Sequence, residues 1–152
     1  VATPGVSGFE EDDKEDDEEL QGEFIREYRG IAARLNYLGP DRFYALFAIK
    51  EGCREMSKPT TGSWRRMKRI VRYLKGKPRL VWYFDQQAEP TEVAIYTDAD
   101  WAGCRRSRKS TSGGVLMLGR HCIKGWAKTQ AVIAKSSAEA NCTVSSKDLV
   151  KG

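Results

Sequence analysis

The sequence predicts an α+β chain, with helices first and then a small antiparallel sheet followed by a helix. Three observations predict it. Between residues 24 and 75 apolar side chains recur every three or four positions, the period of a helix face. Between residues 92 and 128 short runs rich in bulky residues are separated by Gly-bearing turns, as strands are. Ahead of both lies an acidic block with no apolar periodicity.

The totals bound what these elements can do. A length of 152 residues suits one domain, or one and a half small ones, and 40% hydrophobic residues can build a core. The net charge of +5 hides an asymmetry. Residues 10–19 hold nine carboxylates and one lysine, leaving 25 cations against 12 carboxylates elsewhere. A body that basic suggests a polyanionic partner, foremost nucleic acid. A solvated basic surface is the other reading. Cys53, Cys104, Cys122 and Cys142 are scattered without CxxC spacing, which gives no zinc signal. There is no signal-peptide pattern and no apolar run near 18 residues. The expectation is therefore an intracellular protein, of cytoplasm or nucleus, with no membrane partner. His121, the only histidine, reads as a surface or turn residue rather than a base.

Taken in order, residues 1–22 are expected to be a disordered acidic linker, because a block of like charges repels itself. A specific acidic docking motif is the sharper alternative. The first helix follows from Phe24, Tyr28, Ile31, Leu35 and Leu38, and Gly39-Pro40 ends it. Asp41 is placed to cap a second helix with Leu46, Ile49, Cys53 and Met56 along one stripe. Residues 58–62 break that helix, and Ser63 is placed to cap a third. The third helix carries Trp64, Met67, Ile70, Val71 and Leu74 on one side. Arg65, Lys68, Arg69, Arg72 and Lys75 lie on the other with no acid among them, which suits phosphate contact or a solvated face. Residues 80–84 read as a strand, and 85–90 as a polar connector that closes a helical segment 23–90.

The segment 91–152 opens with a strand over 92–98, so Asp98 and Asp100 lie on one side or at the strand's mouth. Such a pair can present oxygens to a hard cation, or can form a turn with Asx hydrogen bonds. A loop with Arg105, Arg106, Arg108 and Lys109 leads to strands over 114–118 and 121–128. Ser136 or Ser137 caps a last helix whose apolar stripe, Ala138, Cys142, Ser145 and Leu149, is thin.

Several motifs in one order then resemble a known family. They are Tyr96-Thr97-Asp98-Ala99-Asp100-Trp101-Ala102-Gly103, Lys109-Ser110-Thr111-Ser112-Gly113, Gly125-Trp126 with Gln130, and Ser136-Ser137-Ala138-Glu139-Ala140. Together they resemble the ribonuclease H region of copia-type retrotransposon Pol polyproteins. Upstream, Tyr28-Arg29-Gly30 and Leu35-Asn36-Tyr37-Leu38 resemble the segment that follows the reverse transcriptase palm, and Met56-Ser57-Lys58-Pro59-Thr60 and Arg69-Ile70-Val71-Arg72-Tyr73-Leu74-Lys75-Gly76 resemble the stretch before the ribonuclease H region. The resemblance covers about residues 24–141. It implies a connection- or thumb-like helical segment, then an incomplete ribonuclease H-like domain of three antiparallel strands and a helix. The implied chemistry is hydrolysis of the RNA strand of RNA–DNA hybrids by two magnesium ions, with the rest of the polyprotein as partner. Two hard cations about 4 Å apart need several oxygen ligands.

The resemblance also assigns the ligands. Asp98 falls on the family's first carboxylate, and Asp100 is a neighbour typical of the copia branch. Family members read Ser-Ser-x-Glu-Ala-Glu-Tyr on the first helix, and their second Glu corresponds to Asn141 here. Glu139 is two residues away, about 200° around a helix, and cannot simply replace it. The family's later aspartates fall on elements beyond this helix. The expectation is a truncated, inactive copy in which magnesium binding is doubtful, with a non-catalytic nucleic-acid-binding module or a relic reading frame as alternatives.

Overall fold

A computed structural model describes residues 2–5, 17–90, 92–104 and 107–147, the side chains of 144–147 excepted. The fold is α+β, and the chain forms two units, Val1–Val81 and Trp82–Gly152. The expected disorder over 6–16 lies outside the described residues.

In the first unit the three-to-four spacing closes one apolar core. Helix α1, Glu23–Leu38, buries Tyr28, Ala32 and Leu35. Helix α2, Leu46–Arg54, buries Ala48, Ile49 and Gly52. Helix α3, Thr61–Lys75, buries Met67, Ile70 and Tyr73. Trp64, Leu74, Ile31 and Met56 pack around this cluster. Each large apolar side chain removed from water contributes about 1.5–3 kcal/mol. A Cβ at Gly52 would stand 3.2 Å from the Met67 Cε, so the missing side chain lets α2 and α3 approach. The Tyr28 hydroxyl donates to the Gly52 carbonyl at 2.7 Å, and burial pushes its pKa up to about 12. Beside it in sequence, Glu51 is partly buried, which alone would raise its carboxyl. Lys50 at 2.7 Å and Arg54 at 3.1 Å hold it below the usual range instead.

Three local expectations need correction here. Asp41 caps no helix: residues Gly39–Ala45 form a 3-10 stretch, and α2 begins only at Leu46. Arg42 leaves helical geometry, with φ −126° and ψ 50°. Its buried guanidinium donates to the Tyr44 hydroxyl, the Lys77 carbonyl and the Pro78 carbonyl, at 2.8–2.9 Å. Those charge-assisted bonds outweigh one more helical turn. The cap of α3 is Thr60, not Ser63. Thr60 Oγ1 accepts from the Ser63 amide at 3.2 Å, while Ser63 Oγ accepts from the Thr60 amide at 2.6 Å, a reciprocal capping box. Residues 80–84 form no strand. Their bulky side chains favour a half-buried sheet surface, and no neighbouring strand offers them one.

The end of the acidic block also has partners. Glu19 pairs with Thr60 in an antiparallel bridge, and Leu20 donates to the Pro59 carbonyl at 2.8 Å. Thr61 donates to the Glu18 carbonyl and Gly62 to Asp17 Oδ1, each at 2.9 Å. The first amides of α3, which no helix can satisfy internally, are thereby used.

The second unit is a three-stranded antiparallel meander in the order β1, Val93–Asp100, β2, Thr111–Leu118, and β3, His121–Thr129. Two of these strands run longer than their alternation implied, β1 to Asp100 and β2 from Thr111. Register pairs Asp98 with Gly113 and Asp100 with Thr111. Between β2 and β3 it shifts at Leu116/Met117, so Ile123 is extra on β3. Gly119, at φ 57°, sits in the two-residue hairpin turn. Gln87 clasps that turn, with Nε2 donating to the Leu118 carbonyl at 3.1 Å and Oε1 accepting from the Arg120 amide at 3.0 Å. Its Nε2 also lies 3.0 Å from His121 Nδ1.

Helix α4, Ser137–Lys147, packs on β1 and β2. Ser136 caps it, accepting from the Glu139 amide at 3.1 Å. The expected apolar stripe is wrong in its facing. Ala140 is fully buried, whereas Ala138 and Cys142 are exposed. Leu149 lies outside the described residues, as does the side chain of Ser145. A helix this weakly amphipathic is oriented by its polar contacts instead of by an apolar stripe.

Candidate metal centre and nucleic-acid interface

Because β1 reaches Asp100, Asp98 and Asp100 share one face of a strand, and both are exposed. Asp98 Oδ1 accepts from the following amide, Ala99, at 2.8 Å. Asp100 turns onto the loop after the strand. A Cβ at Gly103 would overlap its carboxyl group, so only glycine leaves room for it. Ala102 next to it holds φ 52°, a left-handed conformation that costs a non-glycine residue energy. Trp101 anchors the loop by donating from Nε1 to the Ala134 carbonyl at 3.1 Å.

Below the aspartates the sequence motifs converge on a buried polar hub. Ser110, Thr111, Ser112 and Gln130 are all buried. Ser110 Oγ accepts from the Ala102 amide at 3.1 Å, and its carbonyl accepts from the Gln130 amide at 2.9 Å. Gln130 Nε2 donates to Ser112 Oγ at 3.0 Å and to the Ala140 carbonyl at 2.8 Å, which ties β2 to α4. Gly114 stands opposite Trp126, and a Cβ there would collide with the indole. These residues carry the motifs, and their work is to hold the sheet against its helix. Spacing alone missed that role, although a Ser-Thr-Ser run ending in Gly-Gly is a visible sign of tight polar packing.

Glu139 belongs to the cap. Its Oε2 accepts from the Lys135 amide at 2.7 Å while its own amide donates to Ser136. Asn141 is exposed on α4. Among the described residues, no group of three or more His, Cys, Asp or Glu side chains is placed to hold a metal ion. The His121 ring meets the Phe84 ring edge-on at 5.2 Å, and its Nδ1 faces Gln87.

The cations are arranged differently. Arg65, Lys68, Arg72 and Lys75 are exposed on α3, and Arg69 is half-buried, with Nη2 donating to Thr3 Oγ1 at 3.3 Å. Positions 65, 68, 69 and 72 follow helical spacing, so one face about 10 Å long carries four charges. Lys68 also stands over the Trp64 ring at 5.8 Å. Arg108 is exposed at φ 55°, and the Lys109 carbonyl accepts from the Cys104 amide at 3.2 Å. Arg105 and Arg106 lie outside the described residues.

The chain is 37% identical over 114 residues to the retrovirus-related Pol polyprotein from transposon RE2 of Arabidopsis thaliana. It is equally similar, over the same length, to the polyprotein from transposon RE1 of that plant. The chain is related to a segment of the retrotransposon Pol polyproteins. The matches take in 75% of this Pol-related chain but 8% of either polyprotein's length. An uncharacterized mitochondrial protein of the same plant is 34% identical over 113 residues, which is 74% of the Pol-related chain and 47% of that protein. No family model matches the chain, and no solved structure matches it.

No helix among the described residues is long and apolar enough to cross a membrane.

Proposed function

We propose that the chain corresponds to the part of Pol where reverse transcriptase passes into ribonuclease H, and that it grips nucleic acid without cutting it. Residues 23–81 would be the helical end of the polymerase, and the unit that begins at Trp82 the start of a ribonuclease H-like domain. The carrying observation is the contrast between Asp98 and α4. Asp98 is exposed on β1 where the family's first carboxylate is expected. The helix beside it offers Asn141, a neutral amide, at the next ligand position, and the carboxylate of Glu139 is engaged in the helix cap. A carboxylate at the first ligand position with a neutral amide at the next does not fit a two-magnesium centre, so no hydrolytic step is assigned to this chain.

Binding is supported by the α3 face. Arg65, Lys68, Arg69 and Arg72 would meet the phosphates of an RNA–DNA hybrid or duplex; Arg108 and Lys109, in the second unit, are a separate candidate contact. Each neutralised phosphate releases counterions, so affinity falls as salt rises.

Two assays test the reading. With magnesium, the chain should leave a labelled RNA–DNA hybrid intact. Cleavage that disappears in Asp98→Asn would overturn the inactive assignment. In a hybrid-binding titration, changing Arg65, Lys68, Arg69 and Arg72 to Ala should flatten the log–log salt slope by roughly 3–4. An unchanged slope would make α3 a solvated face.

A further inference from the structure

The stretch over residues 80–84, expected to be a strand, has no regular structure. In the structure it is exposed: Val81 is 61% exposed, Tyr83 78% and Phe84 60%. Trp82, at 38%, lies between them. Apolar side chains of that size are not normally left in water side by side. They are also not loose. Arg42 grips the carbonyls of Lys77 and Pro78, and Phe84 rests against the His121 ring. Arg42 thus ties the chain before the aromatic run to the first unit, and Phe84 packs within the second.

Charge decides what such a run suits. Residues 56–84 contain nine lysines and arginines and no carboxylate. Lys77 and Arg79, both exposed, directly precede the aromatics. Exposed rings in a cationic stretch of irregular backbone match unpaired nucleotides: phosphates meet the cations and bases stack on the rings. A protein strand pairing with this segment would gain nothing from the uniform positive charge.

We infer that Trp82, Tyr83 and Phe84, with Lys77 and Arg79, form a stacking site for single-stranded nucleic acid. The inference rests on the nucleic-acid reading above and gives it a second, separate ligand: the unpaired strand beside a duplex.

The full chain is titrated by fluorescence anisotropy with three probes: a blunt RNA–DNA hybrid, the same hybrid with an eight-nucleotide overhang, and the overhang strand alone. The overhang should tighten binding roughly tenfold, and Tyr83→Ala and Trp82→Ala should each remove most of that gain. Tyr83→Phe, which keeps the ring, should preserve it. Neither Ala variant should change binding to the blunt hybrid, which also shows that the variants fold. Equal affinity for the blunt and overhanging probes, or a gain untouched by both Ala variants, overturns the stacking site while leaving the α3 reading intact. Failure to bind the blunt hybrid, with the strand alone still bound through Tyr83, overturns the α3 reading instead. Sedimentation that shows self-association abolished by Tyr83→Ala, with no overhang effect, replaces the site with strand pairing between copies.

Discussion

Gln130 Nε2 donates to the carbonyl of Ala140 at 2.8 Å and to Ser112 Oγ at 3.0 Å, so one side chain joins β2 to α4. Both bonds are buried, where a lost partner leaves a polar group without water. Gln130→Leu is expected to destabilise the second unit by about 1–3 kcal/mol. Amide hydrogen exchange resolves this by segment. Protection should fall in β2 and α4 while α1–α3 stay unchanged.

Gly114 has a different function. Its missing side chain is the space in which the Trp126 indole lies. Gly114→Val should cost about 1–3 kcal/mol through overpacking. In a Trp126→Ala background the same change should cost much less. Denaturant titration of the four proteins gives the coupling, and additive effects would show that the indole does not occupy that space.

The N-terminus of α3 is capped twice, by Thr60 and by Asp17. Thr60→Ala should lower stability by about 1 kcal/mol. Exchange at the Ser63 amide should quicken, because Thr60 Oγ1 was its acceptor, while Gly62 stays protected by Asp17. Asp17→Ala should reverse that pattern.

Tyr28 sets an alkaline limit. Its folded pKa is about 12 against an ordinary value of 10.0, so the folded state holds its proton more tightly. The stability this contributes is complete below pH 10 and is lost as pH rises towards 12. Tyr28→Phe should remove that alkaline decline, at a cost near neutrality of about 1 kcal/mol for the bond to Gly52. Thermal melts at pH 8, 10 and 11.5 check both. Glu51 acts in the opposite sense. Its lowered carboxyl adds stability above the ordinary carboxylate range, and this is lost as pH falls through the folded value. Lys50, Glu51 and Arg54 are half-buried, so this acid effect should be modest and only partly screened by salt.

Much of the architecture was legible because it depends on local periodicity. Tyr28, Leu35, Ile49, Met67 and Ile70 lie on the core sides that three-to-four spacing gave them. The Gly119-Arg120 turn and the Ser136 cap follow from conformations those residues favour. What was illegible depends on partners distant in sequence. Arg42 leaves the helix for carbonyls 35 and 36 residues away. Residues 80–84 have strand chemistry and no strand beside them. The acidic block looked unstructured to its end because its partners, Thr60 to Gly62, lie some 40 residues on.

The candidate site divides the same way. The sequence by itself determined the α+β order of elements, the kinship with retrotransposon Pol, and the amide at Asn141 where a carboxylate is expected. These are matters of residue identity and spacing, which no folding can alter. Only the tertiary structure decided that Asp98 and Asp100 share a strand face, that Asp100 folds over Gly103, and that Glu139 is held in a cap. It alone decided that Ser112, Gln130 and Ala140 meet. A side chain's free oxygens are set by which backbone amides arrive beside it, and that is fixed only when the chain has closed on itself.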